Sequence, residues 1–264
     1  MGETTAISWC HVPGYIGGTW NCWQGCTKVS EGCANCYMFR EKERFGQNPN
    51  IVVRSKPRTF NLPLRVKEPH AWFTCSWSDF LHEDADVWRD EAWDIIRQTP
   101  QHLYLILTKR IERWNECAPK DWCDGYPNVW LGVTAENQKR YDERVPLLLR
   151  IPVKVHWISF EPLLERIIPV PFDMVTSRFP LKDFAFNCKW AGFYVIGGES
   201  GPNCRSMDHD WALKLIQDAH MAGVAAYVKQ LGGYPDKRTE PSKWPEDLRC
   251  REFPQTGKDG EDGK

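Results

Sequence analysis

Up to about residue 71 the chain mixes apolar, polar and turn-forming residues without a steady period. After that a rhythm sets in. Short apolar runs at Trp72–Ser76, His102–Leu107, Val129–Val133, Val153–Ile158, Phe193–Ile196 and Ala225–Val228 read as strands. Helical spacing falls between them. Asp86–Gln98 carries Val87, Ala92, Trp93 and Ile96 as one apolar face, a helix follows Asn137 to about Arg150, and Asp210–Met221 is helical. Strands alternating with helices predict parallel βα units, wound by right-handed crossovers into a barrel or an open doubly wound sheet. In the irregular part, Thr5–Cys10 reads as a first short strand, His11–Thr19 as a glycine- and proline-rich loop, and Ala34–Arg44 as a helix with one charged face. Ile51–Pro69, interrupted by prolines, reads as an extended connection.

Polar residues recur where the apolar runs end. Ser76, Ser78 and Asp79 follow the first run, and Lys109, Glu136, Glu161, Glu199 and Lys229 follow the later ones. A single charge after a strand is usually a solvated cap. A charge at the end of six successive strands predicts a shared polar mouth, since parallel barrels build their sites from strand C-terminal ends.

Composition narrows the class. The 264 residues suit one barrel-sized domain, read here as residues 1–254, followed by a charged, glycine-rich tail of disordered composition at 255–264. Lys+Arg 34 against Asp+Glu 35 leaves a formal net charge of −1, so no global field attracts nucleic acid. Any such contact must be local, and Arg54, Lys56, Arg58, Arg65 and Lys67 form the dense basic stretch. No run approaches the roughly 20 apolar residues of a membrane span, and the N-terminus lacks a basic-then-apolar pattern. A cytoplasmic protein is expected. Eleven cysteines, an odd number in a chain of this size, favour metal ligation and burial over a disulfide framework. Fourteen tryptophans are expected mostly in the core.

Three of the cysteines form a motif. Cys26, Cys33 and Cys36 follow a C-x6-C-x2-C spacing flanked by Gly25 and Gly32, with Tyr37 next. Three thiolates suit a [4Fe–4S] cluster with one iron open, but a zinc knuckle completed by Cys22 or a distant His uses the same residue types. Spacing alone leaves both open. Cys117 and Cys123 are too loosely placed for a second cluster, Cys75, Cys188, Cys204 and Cys250 read as buried or incidental thiols, and His209 and His220 as surface or core residues. Gly197-Gly198-Glu199 lacks the Gly-Lys-Ser/Thr signature of a phosphate loop.

The cysteine loop, from Trp20 to Tyr37, resembles that of a phage and bacterial three-cysteine branch of the radical S-adenosylmethionine (SAM) superfamily. So do Leu107-Thr108-Lys109-Arg110, Leu131-Gly132-Val133 with Glu136-Asn137, Glu161-Pro162-Leu163-Leu164, Gly197-Gly198-Glu199-Ser200-Gly201-Pro202 with Arg205, and Lys229-Gln230. The loop departs from the commoner C-x3-C-x2-C spacing, and Cys22 stands where branch members often carry proline. The resemblance implies a partial (β/α) barrel, a cluster on Cys26, Cys33 and Cys36, SAM as cosubstrate, and a reductant such as flavodoxin or ferredoxin. It places Ser76, Ser78 and Asp79 where the superfamily holds the SAM amine. Glu136 and Glu161 are then candidates for the ribose, Lys109 or Arg110 for the SAM carboxylate or substrate, and Gly197-Gly198 for close backbone approach. Glu199, Arg205 and Lys229 fall to the substrate. Phages carrying such enzymes hypermodify thymine, so the expected substrate is a glycinyl-modified thymine in phage DNA, isomerised from a nitrogen to a carbon link. A zinc-stabilised nucleic-acid-binding module, or a radical enzyme acting on a peptide, RNA or small metabolite, are the competing classes; no second C-terminal cysteine cluster speaks for a peptide substrate.

Overall fold

The computed structural model describes residues 3–169 and 192–255. Among these residues nine strands, β1 (Ile16–Trp20), β2 (Trp23–Gln24), β3 (Val53–Arg54), β4 (His70–Thr74), β5 (Leu103–Thr108), β6 (Val129–Thr134), β7 (Val155–Phe160), β8 (Phe193–Gly197) and β9 (Ala225–Gln230), make two sheets. Seven of them lie parallel in the order β1-β4-β5-β6-β7-β8-β9, and β2 pairs antiparallel with β3. Helices α1 (Tyr37–Arg44), α2 (Pro57–Phe60) and α3 (Leu62–Arg65) precede β4. Then α4 (Asp86–Gln98) and α5 (Trp114–Cys117) follow β4 and β5, α6 (Gln138–Leu148) follows β6, and α7 (His209–Met221) joins β8 to β9. The long sheet curls, with helices on its outer side, into a partial parallel β/α barrel.

Strand periodicity divides the core. Tyr104, Ile106, Leu131, Val133, Ile158, Tyr194, Ile196 and Val228 face outward and pack with Trp93 and Ile96 of α4, Tyr141 and Val145 of α6, and Leu215 and Ile216 of α7. The alternate residues Leu103, Leu105, Trp130, Trp157, Phe193, Val195 and Tyr227 face inward around Trp9, Cys10 and Val12. Position 132, on the inward face, is glycine because a Cβ there would lie 2.5 Å from the Trp157 ring. Ten tryptophans, including Trp9, Trp20, Trp93 and Trp157, are buried, as their number foretold.

Three expectations need correction. The first strand is Ile16–Trp20, all but its last residue in the stretch read as a loop, whereas Ser8–Cys10 is a single 3-10 turn. Glycine normally weakens a strand, but a Cβ on Gly18 would meet the Trp72 ring at 2.6 Å, so close packing demands it. Within α4, Val87 is exposed, because five residues before Ala92 is roughly 140° round the helix. The proline-rich segment 51–69 is not extended throughout: Pro57 and Pro63 each sit in the first turn of a short helix, where proline's missing N–H costs nothing. The 255–264 tail, apart from Gln255, and Cys188 lie outside the described residues. No helix among the described residues is long and apolar enough to cross a membrane.

The N-terminal turn fills the open barrel. Trp9 lies edge-on to Phe73, with centroids 4.8 Å apart, and tilted against Trp157 at 4.9 Å. It thus joins rings from β4 and β7 that no strand pairing connects. Trp9→Ala should cost about 3–5 kcal/mol of unfolding free energy, the usual loss for a buried tryptophan, measured by urea denaturation. A loss below 1 kcal/mol, roughly that of a surface change, would mean that the turn is not part of the core.

Candidate functional site

All six strand-end charges sit at the C-terminal edge of the sheet, and the cysteine loop folds over the same edge. The loop is held from several sides. Gly25 N–H donates to the Trp77 carbonyl (3.0 Å), and Ser78 Oγ donates to the Gly25 carbonyl. Cys26 N–H donates to the Pro49 carbonyl at 2.9 Å. Arg110, just after β5, reaches the next residue: its Nη2 donates to Thr27 Oγ1 (2.7 Å) and O (3.0 Å), and its Nη1 lies 3.5 Å from Cys26 Sγ. Buried His82 lies 3.2 Å from Thr27 Oγ1.

Asp79 secures that arginine. Its carboxylate is buried and accepts from Leu81 N–H (2.9 Å), Thr108 Oγ1 (2.7 Å), Lys109 N–H (2.9 Å) and Arg110 Nη1 (3.4 Å). With both oxygens committed, Asp79 is a bracket between the ends of β4 and β5. Ser76 and Asn21 bond to each other at 3.0 Å, and the Tyr37 hydroxyl donates to the Ser76 carbonyl. The serine–aspartate stretch expected to receive an amine therefore serves, as it stands, to hold the loop.

The middle of the loop is tied to β6. Glu136, fully buried, accepts from Gly32 N–H at 3.2 Å and pairs with Arg144 of α6 at 2.8 Å. A Cβ on Gly32 would sit 3.0 Å from the Glu136 carboxyl carbon. The third tie comes from β8. Glu199 Oε2 accepts from Asn35 Nδ2 (3.0 Å), Arg205 N–H (2.8 Å) and Arg205 Nε (2.9 Å), while Arg205 Nη2 also donates to the Glu31 carbonyl (3.1 Å). Glu199 and Arg205, expected on a substrate, are directed at each other and at the loop.

The remaining strand ends meet inside the barrel. Lys229 Nζ lies 2.9 Å from Glu161 Oε1, and Ser159 Oγ donates to Glu161 Oε2 at 3.4 Å. This pair is less enclosed than Asp79–Arg110 or Glu136–Arg144. Lys109 Nζ donates to Thr134 Oγ1 at 3.2 Å. A Cβ would meet Glu161 Oε1 at 2.6 Å on Gly197 and collide with the Leu231 carbonyl on Gly198. Their bareness serves packing between β7, β8 and β9.

The chain belongs to the family Protein of unknown function (DUF5131), whose model matches residues 4–257. Neither a curated protein nor a solved structure matches the chain.

In this DUF5131 protein Cys26 and Cys36 are partly exposed and Cys33 is buried. Burial and the nearby Asp79 charge push the Cys26 thiol up to about 12, against the pull of Arg110. Cys22 is turned away from them, fully buried with its sulfur 3.3 Å from that of Cys75. Among the described residues, the set of three ligating side chains whose donor atoms all lie within 4.8 Å of one another is His220, Cys250 and Glu252. The three loop sulfurs do not form such a set. Arg144, Asn35 and His82 were not anticipated. For Arg144 a sign existed, since it shares the buried stripe of α6 with Tyr141, Val145 and Leu148.

The anchoring carboxylates predict a pH response. Burial pushes Glu136 up, but the charges of Arg144 and Lys109 and the Ser30 hydroxyl outweigh it, leaving the carboxyl below its usual range. Glu199 follows the same pattern, with Arg205 and Asn35 overcoming burial. A carboxylate depressed in the folded state stabilises fully above its unfolded pKa of about 4.3 and loses that contribution as pH falls through the folded value. Hydrogen exchange at the Gly32 and Arg205 amides, corrected for intrinsic rates, should accelerate between about pH 5 and pH 3, ahead of the β5 and β6 amides. Equal protection at both pH values would remove these carboxylates from the anchoring role.

Proposed function

We propose that the protein is a radical SAM enzyme whose [4Fe–4S] cluster is held by Cys26, Cys33 and Cys36. The observation that carries this reading is the placement of three thiols from one loop at the C-terminal mouth of a partial parallel barrel, pinned there by three acid–base pairs from strand ends. Three thiolates that do not form a set within 4.8 Å suit a cluster, in which each binds a different iron, better than one zinc ion with all bonds near 2.3 Å. When bound, such a cluster supplies the electron that cleaves SAM to a 5′-deoxyadenosyl radical. The chain's own residues position and enclose. Arg110 offers a cation to the Cys26 sulfur, and the tryptophan-rich floor around Trp9 keeps water from below the mouth. Glu161 and Lys229 offer a carboxylate and an ammonium to a zwitterionic ligand, each held by the other until then.

Protein reconstituted without oxygen should be brown and carry about four irons per chain. Cys26→Ala, Cys33→Ala and Cys36→Ala should each lose the iron–sulfur absorption and SAM cleavage, whereas Cys22→Ala, whose sulfur packs on Cys75, should keep both. Glu161→Gln should keep the iron and weaken SAM binding by roughly 1.5–3 kcal/mol, the worth of a charged hydrogen bond. Colourless protein with stoichiometric zinc on the loop would overturn the reading in favour of a zinc-stabilised binding module.

The substrate in this proposal is a glycinyl-modified thymine in duplex DNA, isomerised from a nitrogen to a carbon link by way of hydrogen abstraction at the glycine Cα. Its support is local. The β2–β3 pairing fastens the basic segment directly beside the cysteine loop. Arg54 is bound to Glu91 and stacked over Phe60, and Arg65 donates to the Arg58 carbonyl, leaving the exposed Lys56, Arg58 and Lys67 for phosphates. Three phosphate contacts give a slope of log K on log salt of roughly −2 to −3, and the base must leave the stack at a cost of a few kcal/mol. Glycinylated DNA incubated with enzyme, SAM and reductant should yield a nucleoside of unchanged mass and altered retention. An unchanged adduct, with deoxyadenosine formed equally well without DNA, would exclude this substrate while leaving the radical SAM reading intact.

A further inference from the structure

On the far side of the barrel, residues 250–252 run antiparallel along the open edge of β9. Val228 N–H donates to the Cys250 carbonyl (2.8 Å), Glu252 N–H donates to the Ala226 carbonyl (2.9 Å), and Arg251 bridges Tyr227. Alternation puts Cys250 and Glu252 on one face and Arg251 on the other, its guanidinium over the Tyr227 and Trp244 rings. The face with Cys250 and Glu252 looks toward His220 in the last turn of α7. His220 Nε2 lies 3.1 and 3.2 Å from the two Glu252 oxygens and 3.8 Å from Cys250 Sγ, and all the donor atoms fall within 4.8 Å of one another.

We propose that His220, Cys250 and Glu252 form a zinc site, separate from the cysteine loop, with its fourth position open to solvent. Tetrahedral zinc bonds of about 2.0–2.3 Å place neighbouring donors roughly 3.3–3.7 Å apart, close to the separations found here. A mixed imidazole, thiolate and carboxylate set selects zinc over calcium or magnesium, which take oxygen, and over iron–sulfur clusters, which take mainly cysteine. The helix C-terminus favours a cation. His220 and Glu252 are about half exposed, which leaves the fourth position to water. The plainer account is an ion pair between His220 and Glu252 with the Cys250 thiol donating to the Ala226 carbonyl at 3.2 Å, but it gives no reason for three different donors to converge on one side. The zinc would staple α7 to the segment that covers the last strand.

Cobalt substitution reads the site through its thiolate. In the full chain with Cys26, Cys33 and Cys36 replaced by Ala, titration with cobalt(II) should give one ion per chain with thiolate-to-cobalt charge-transfer absorption and tetrahedral ligand-field bands. Adding Cys250→Ala should abolish the charge-transfer band. His220→Ala and Glu252→Gln, at exposed positions, should keep the native circular dichroism and weaken cobalt binding by at least the roughly 10- to 100-fold that outer-shell partners are worth. On the chain with its loop cysteines unaltered, zinc retained after dialysis should fall by one ion per chain on Cys250→Ala. A cobalt spectrum without a thiolate band, or zinc content unchanged by Cys250→Ala, would overturn the proposal.

Discussion

Acid–base pairing at the strand ends is the constraint on which the arrangement of the mouth depends. Asp79 with Arg110, Glu136 with Arg144, Glu199 with Arg205 and Glu161 with Lys229 give every strand-end carboxylate a cation. Such pairs are weak stabilisers when buried, because desolvation offsets most of the attraction, yet removing one partner strands a charge at a cost of about 3–5 kcal/mol. Their effect is therefore positional. Three of the four also bond the cysteine loop, so the loop cannot shift without breaking a hydrogen bond to one of these charges.

The open barrel imposes a second requirement. Seven parallel strands leave two unpaired edges and a hollow face, and exposed edges invite pairing with other chains. Residues 250–252 run along the β9 edge, and the N-terminal turn fills the hollow with Trp9. Apolar rings thus occupy the lower layers of the inner face, and charge begins only where Lys109, Glu161 and Lys229 follow them on the same alternation. The polar mouth is the continuation of an apolar pleat.

Much of the barrel was legible because its signals are local. A buried parallel strand is a short apolar run and its helix has a 3.6-residue stripe, so α4 falls where its spacing puts it and the strands shift only by a residue or two. The first strand was missed because Gly17 and Gly18 are there for the Trp72 and His11 rings, partners that only the fold supplies. The site divides in the same way. That charges gather at strand ends follows from register, but what each one faces does not. Arg205 lies six residues from Glu199, Arg144 eight from Glu136, and Lys229 far along the chain from Glu161. Residues that looked free to meet a ligand were, in the fold, already meeting one another.

Donor spacing separates the two cysteine-bearing regions by the same reasoning. At the loop, each stretch has its own anchor: Arg110 at Cys26, Glu136 at Gly32 just before Cys33, and the Glu199–Arg205 pair at Asn35 just before Cys36. Separately anchored thiols cannot close on a single ion without dragging buried charges along, which favours a multinuclear group. At the β9 edge, Cys250 and Glu252 stand two residues apart on one strand and His220 on one helix turn, so three different donors converge with no buried pair to move. Composition alone assigns eleven cysteines to metal or to burial without saying which. Under the two proposals, it is the anchoring of the backbone between the donors that separates the loop assigned a cluster from the edge assigned a single ion.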